Sequence, residues 1–184
     1  VVIAALSPVV TEERLRRIEE VVAGRTDSLA IVLDRLSDPH NSSAVLRSAE
    51  AFGIQHVCAV VGRHGFRASR GVSKGTQRWL DVARFEDADA CARALKERGF
   101  AMYAAAMNGT HTLEELRSVP QLAVVFGNEH HGVSDAMRAH ADGTFAIPMR
   151  GFVESLNVSV AAAITMQTLT GESRPPLSDA RRRE

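Results

Sequence analysis

The sequence predicts an α/β domain with a mostly parallel sheet flanked by helices. Three observations carry that expectation: short continuous apolar runs such as Leu29-Ala30-Ile31-Val32-Leu33 and Leu122-Ala123-Val124-Val125-Phe126, helical spacing between such runs, and a glycine closing several of the helices. Runs that are apolar at every position suit strands covered on both faces, the setting of a parallel sheet between helix layers.

Thr11 is placed to cap a first helix that ends at Gly24, with Glu12 and Glu13 in its first turn and Leu15, Ile18 and Val22 at helical spacing. Its other face carries Arg14, Arg16 and Arg17, which read either as a solvated face or as a polyanion contact. A strand at 29–33 follows, then a helix from about 42 to 52 ended by Gly53, and a strand at 56–61. A helix near 87–98 closed by Gly99, strands near 100–105, at 122–126 and near 144–147, and a last helix at 156–169 continue the alternation. In that last helix Val158, Val160, Ala161, Ala162, Ala163, Ile164, Met166 and Leu169 leave little polar face, so it must be buried, in the core or against another subunit. The tail after Gly171 reads as a poorly ordered basic end.

Composition narrows the functional classes. With 184 residues, 45% hydrophobic and 24% charged, the chain suits one globular domain and excludes intrinsic disorder. No apolar run reaches the roughly 18 to 20 residues of a bilayer crossing, and the start Val1 to Pro8 lacks a basic leader; a soluble cytoplasmic protein, trimmed at its start, is expected. The two cysteines, Cys58 and Cys91, make neither a disulfide framework nor a zinc knuckle. Lys plus Arg is 22 and Asp plus Glu is 22, so any nucleic-acid contact has to be local. One local source is evident: from Gly62 to Leu80 the sequence carries Arg63, Arg67, Arg70, Lys74 and Arg78 and no acidic residue. Aromatics are only 5%, which argues against a surface gripping single strands by serial stacking.

Several chemistries lack their motifs. There is no G-x-G-x-x-G and no H-E-x-x-H. Gly127 to Gly132 has the Walker A glycine spacing, but Val133 stands where the phosphate-binding Lys is needed. His130 and His131 are adjacent and point apart, and no metal site is expected.

Three polar segments remain, each after a predicted strand, where α/β sheets place ligands. The first, 33–47, contains Asn41, either a helix cap or a ligand-facing amide, and Arg47, a cation among small and apolar helix residues. The second, 124–134, ends a buried strand in a Gly-bounded loop: Gly127 offers close backbone approach, Glu129 a carboxylate that serves a ligand or a salt bridge, and Ser134 a cap for the next helix. The third, 147–163, opens an apolar helix with Ser155 and Asn157.

Asn41-x-x-Ala44-x-x-Arg47, Phe-Gly-x-Glu-x-x-Gly-Val-Ser at 126–134 and Ile-Pro-Met-x-Gly-x-x-x-Ser-Leu-Asn-Val-Ser-Val-Ala at 147–161 together resemble the three ordered motifs of the SpoU (TrmH-like) branch of the SPOUT RNA 2′-O-methyltransferases. The resemblance spans about 29–170 and is greatest to the type that modifies guanosine 18 of transfer RNA, whose loop Ser73 to Trp79 also resembles. Ser43, where many relatives have Gly, and the Asn128-Glu129-His130-His131 run are departures; His130 and His131 have no assigned role.

The resemblance implies a SPOUT α/β fold with a C-terminal deep trefoil knot. It divides the chain into a basic helical extension at 1–28, the knotted methyltransferase domain at 29–171 and a basic tail at 172–184. It implies S-adenosyl-L-methionine as methyl donor and a ribose 2′-hydroxyl as nucleophile, most plausibly a D-loop guanosine of tRNA, with ribosomal RNA, or a non-catalytic RNA-binding role, as the alternative. A homodimer formed through the knotted region is implied as well. By carry-over, Arg47, Asn41, Glu129, Ser155 and Asn157 are the catalytic set, and Ala104, Gly127, Ile147 and Leu156 hold the cofactor mainly through backbone and packing. Arg14, Arg17, Arg63, Arg67, Arg70, Lys74 and Arg78 are the expected RNA contacts, and no metal or membrane is implied.

Overall fold

The computed structural model describes residues 10–61, 76–171 and 174–182. Thr11 caps the first helix, α1 (Glu12–Ala23), accepting the Arg14 N–H at 3.3 Å. The chain then alternates as β1 (Thr26–Asp34), α2 (Pro39–Ala51), β2 (Ile54–Val60), a 3₁₀ turn at Thr76–Trp79, β3 (Asp81–Phe85), α3 (Ala88–Glu97) and β4 (Ala101–Ala105). It continues through α4 (Leu113–Leu116), β5 (Leu122–Phe126), α5 (Asp135–Arg138), β6 (Gly143–Phe145), α6 (Val158–Thr170) and α7 (Asp179–Arg182).

Every strand pairing is parallel, in the order β3-β2-β1-β5-β4-β6. Alternate residues of β1 feed two cores. Leu29, Ile31 and Leu33 pack with Val45, Leu46 and Ala49 of α2 and Ala162, Met166 and Leu169 of α6. Ala30 and Val32 pack with Cys91, Ala92 and Leu95 of α3 and Met137 of α5. Both faces of β1 and β5 are thereby covered, the physical reason their sequences are continuous apolar runs. The chain builds outward from β1 to β3, then returns to lay β5 beside β1. That reversal between β1 and β5 leaves a crevice at their carboxyl ends.

β1 starts at Thr26, before the expected boundary at 29, because its polar entry is satisfied: Thr26 Oγ1 lies 2.9 Å from Ser28 Oγ and donates to Pro175 O at 2.7 Å. The expected extension at 1–28 therefore gives up its last residues to the sheet. The acceptor shows a second difference, since residues 174–182 dock instead of trailing. The Arg174 guanidinium donates to Leu169 O (3.2 Å), Val119 O (2.7 Å) and Leu116 O (3.2 Å), carbonyls at or just past the ends of α6 and α4, where helices leave acceptors unpaired. Leu177 is buried and Arg181 pairs with Asp81 at 2.6 Å. β3 lies outside the strands the sequence predicts; its five side chains are charged, small or half-exposed, as an edge strand permits.

At the amino edge of the sheet, opposite the crevice, an open cavity of about 610 Å³ is lined by Asp27, His56, Cys58, Asp81, Arg98 and Arg181. His56 Nε2 accepts from Arg98 Nη2 at 2.7 Å. Burial, reinforced by the Arg98 charge, holds the imidazole below its ordinary range. The unfolded chain binds that proton more readily, so His56 subtracts stability as pH falls below its unfolded value of about 6.5. A melting series from pH 7.5 to 5.5 should show the midpoint falling, and His56→Gln should flatten the fall; an equal slope in both proteins removes His56 as its source.

Among the described residues no helix is long and apolar enough to cross a membrane, and no group of three His, Cys, Asp or Glu side chains could hold a metal.

Candidate active site

The crevice collects one residue from each of the three polar segments. α2 starts with Asp38 as its cap, accepting the His40 N–H at 2.8 Å, and Pro39 in the first turn. Asn41 is thus free of capping duty. Its Nδ2 donates to Glu129 Oε1 at 2.9 Å, and its Oδ1 accepts from Asn157 Nδ2 at 3.1 Å. Asn157 also caps α6, its Oδ1 accepting the Ser159 N–H (2.8 Å) and hydroxyl (2.6 Å). A directed chain of donors therefore runs Asn157 to Asn41 to Glu129, across residues 116 and 88 positions apart.

Glu129 is the sink of that chain. Its Oε2 also accepts the Ser37 N–H (3.1 Å) and hydroxyl (2.8 Å), and its Oε1 the Asp38 N–H at 3.4 Å. Partial burial pushes the carboxyl up, but the hydrogen bonds from Asn41, its own loop backbone and Ser37 outweigh this and hold it at about 2. The carboxylate also sits at the amino end of α2, where the helix dipole favours a negative charge. It is ionised throughout the neutral range and too weak a base to accept a proton there.

Gly127 has a different reason to be glycine from the one expected. A Cβ there would lie 2.0 Å from Gly132 C and 2.0 Å from Val133 N, so the space beside its α-carbon is filled by the loop's own backbone rather than left open to a ligand. The turn it permits is closed by Asn128 N–H to Gly132 O (2.9 Å) and Gly132 N–H to Asn128 O (2.8 Å). Ser134 caps α5, accepting the Met137 N–H at 3.3 Å.

The strand register brings three of the cofactor candidates, Ala104, Gly127 and Ile147, to one edge. Ala104 is flanked by Val125 on one side and Thr144 on the other, so the ends of β4, β5 and β6 are neighbours. Gly127 follows β5 directly, Ile147 lies two residues past β6, and Leu156 ends the connection to α6. Ala104 and Gly127 are buried, whereas Ile147 and Leu156 are half-buried. Loops around this edge expose Met107, Met149, Phe152 and Val153, apolar side chains that water does not favour.

Arg47 is not part of the Asn41 cluster. It lies six residues further along α2, about 9 Å down the axis and turned by about 240°, exposed and without an ion-pair partner among the described residues. Ser155 is exposed on the approach to α6, outside the donor chain. Arg14, Arg17 and Arg78 are exposed, Arg17 pairing with Glu20 at 3.2 Å; Arg63, Arg67, Arg70 and Lys74 lie outside the described residues. Sequence reasoning missed Ser37 and Asn128. The first had a readable signal, because Asp-Pro marks the helix start at 38–39 and places Ser37 beside its unpaired N–H groups.

The chain is similar to known proteins. The chain is 41% identical over 157 residues to a tRNA (guanosine(18)-2′-O)-methyltransferase of Thermus thermophilus, covering 85% of this chain and 81% of that one. It is 34% identical to a 23S rRNA (guanosine-2′-O-)-methyltransferase of Xanthomonas axonopodis, covering 84% and 62%. The crystal structure of the TrmH/SpoU tRNA modifying enzyme of Aquifex aeolicus superposes with a TM-score of 0.81 at 28% identity, over 94% of this chain and 92% of that one. With the SpoU rRNA methylase family model matching residues 28–167, the chain belongs to that family.

Proposed function

We propose that the protein transfers a methyl group from S-adenosyl-L-methionine to a ribose 2′-hydroxyl of RNA, with tRNA, at a D-loop guanosine, as its substrate. One observation carries this reading: the donor chain Asn157–Asn41–Glu129 joins the three segments that resemble the family's motifs into one site at the sheet's switch point. The tRNA preference is supported by the 41% identity to the Thermus thermophilus enzyme, against 34% for the ribosomal one.

The residues at the β4–β5–β6 edge fit the methyl donor. Ala104, Gly127, Ile147 and Leu156 are small or apolar, and the loops beside this edge expose Met107, Met149, Phe152 and Val153, an apolar surface suited to a nucleoside. When bound, that group supplies a methyl on a sulfonium, an electrophile needing no further activation. The chain's own task is then to orient the ribose and to lower the cost of ionising its hydroxyl. Glu129, fixed as a carboxylate, aligns Asn41, and Asn41 holds the start of α6 through Asn157. Arg47, a permanent cation, grips the adjoining phosphate and stabilises negative charge developing on the attacking oxygen, whose proton leaves to solvent. Ser155 would help hold the methionine end of the bound cofactor.

A homodimer and the deep trefoil knot belong to the same reading. α6 buries Ala162, Thr165, Met166 and Leu169 but exposes Val160 at 46% and Ile164 at 38%, an apolar stripe one turn apart suited to a second copy. Arg14, Arg17 and Arg78, with Arg63, Arg67, Arg70 and Lys74, provide the RNA-facing charge. The test is competition: with labelled methyl donor, unmodified tRNA and ribosomal RNA are offered together. Label in tRNA alone is expected; label in ribosomal RNA alone shifts the substrate to the alternative.

A further inference from the structure

The loop that carries Glu129 is held to the end of β1 at both of its ends. At the near end, Asn128 Nδ2 donates to Arg35 O at 2.9 Å while its Oδ1 accepts the His130 N–H at 2.9 Å. Arg35 has φ 55°, a left-handed backbone that residues other than glycine seldom adopt, and its carbonyl is the acceptor in this bond. At the far end, the Ser134 N–H donates to Asp34 Oδ2 at 2.7 Å, and Asp34 is 1% exposed. Asp34, the last residue of β1, and Arg35, which follows it, therefore anchor the two sides of one loop, with Glu129 between them.

We propose that Asn128 is a positioning residue for Glu129, and that Asp34 is the second anchor of the same latch. The inference rests on the role given to Glu129 above. Without the latch, the loop would lose the two bonds that fix it to the end of β1, and the carboxylate could swing into water. The near anchor has to accept from the His130 N–H and donate to the Arg35 carbonyl at once. An amide can do both, a carboxylate cannot donate, and a methyl does neither. Asp34 needs only to accept.

The test compares Asn128→Ala with the wild type in two measurements. Steady-state methyl transfer should lose about 10- to 100-fold in kcat with a smaller change in KM, the signature of a displaced group near the reacting atoms. Independently of activity, carbon-13 NMR of glutamate carboxyls should show Glu129 titrating from about 2 upward toward the ordinary carboxylate range. The neighbouring turns also carry Asp38, His40, His130 and His131, and glutamate-only labelling keeps their titrations out of the signal. Asp34→Ala should resemble Asn128→Ala, and Asp34→Asn, which keeps the acceptor for Ser134, should recover most of the loss. An unchanged Glu129 titration and unchanged kcat in a folded Asn128→Ala protein overturn the proposal. A raised titration with full kcat upholds the latch and overturns the role of Glu129.

Discussion

Arg47→Ala is expected to lower turnover by about 10² to 10³-fold, the usual cost of removing one donor aimed at a developing oxyanion. Affinity for S-adenosyl-L-methionine should stay within about twofold, because the role given to Arg47 is on the phosphate and the attacking oxygen and not on the cofactor. Arg47→Lys should recover little of the loss, since an ammonium cannot reproduce the planar fork of a guanidinium on a phosphate. Isothermal titration for the cofactor and single-turnover transfer for the chemistry separate the two effects. Equal loss of both would give Arg47 a structural role.

The second large effect belongs to Gly127. An alanine Cβ would sit 2.0 Å from backbone atoms of Gly132 and Val133, neighbours that have no flexible side chain to move aside. The loop must open, and its closing bonds between Asn128 and Gly132 go with it. A loss of about 3 kcal/mol or more is expected, the upper end of overpacking costs. Cofactor binding should fall in parallel, because the same loop borders the carboxyl edge of β4, β5 and β6. A Gly127→Ala protein with wild-type melting temperature and cofactor affinity would show that the loop has slack the structure does not show.

The parts of the fold written in local pattern were legible. β5, and β1 from Leu29 to Leu33, are apolar at every position because both faces are covered, and the residues at 122–126 match the observed strand fully. β3 was illegible because Asp81-Val82-Ala83-Arg84-Phe85 lies at an edge and need not be apolar. α4 and α5 are one turn each, too short to show a helical period. The docked tail depends on Arg174 finding carbonyls more than fifty residues away, which no local pattern reveals.

The site divides the same way. Asn41, Glu129 and Asn157 were reachable through their motifs, and the structure supplies what spacing could not: each is a partner of the next. Asn41 read equally well as a helix cap until Asp38 proved to hold that position. Gly127 reads in the sequence as a point of close backbone approach, and the structure shows its own loop making that approach; a glycine that admits a ligand and one that admits its own chain look alike in sequence. Ser37 and Asn128 went unnoticed because their roles are hydrogen bonds to residues about ninety positions away.

The central claim, ribose 2′-O-methylation of tRNA, is tested most directly with two transcripts that differ by one oxygen. One carries guanosine at position 18 of the D-loop and the other 2′-deoxyguanosine there, both incubated with labelled S-adenosyl-L-methionine and mapped by nucleotide. The account predicts one methyl at that ribose in the first transcript and none in the second. Equal labelling of both, or label on a base, would contradict it.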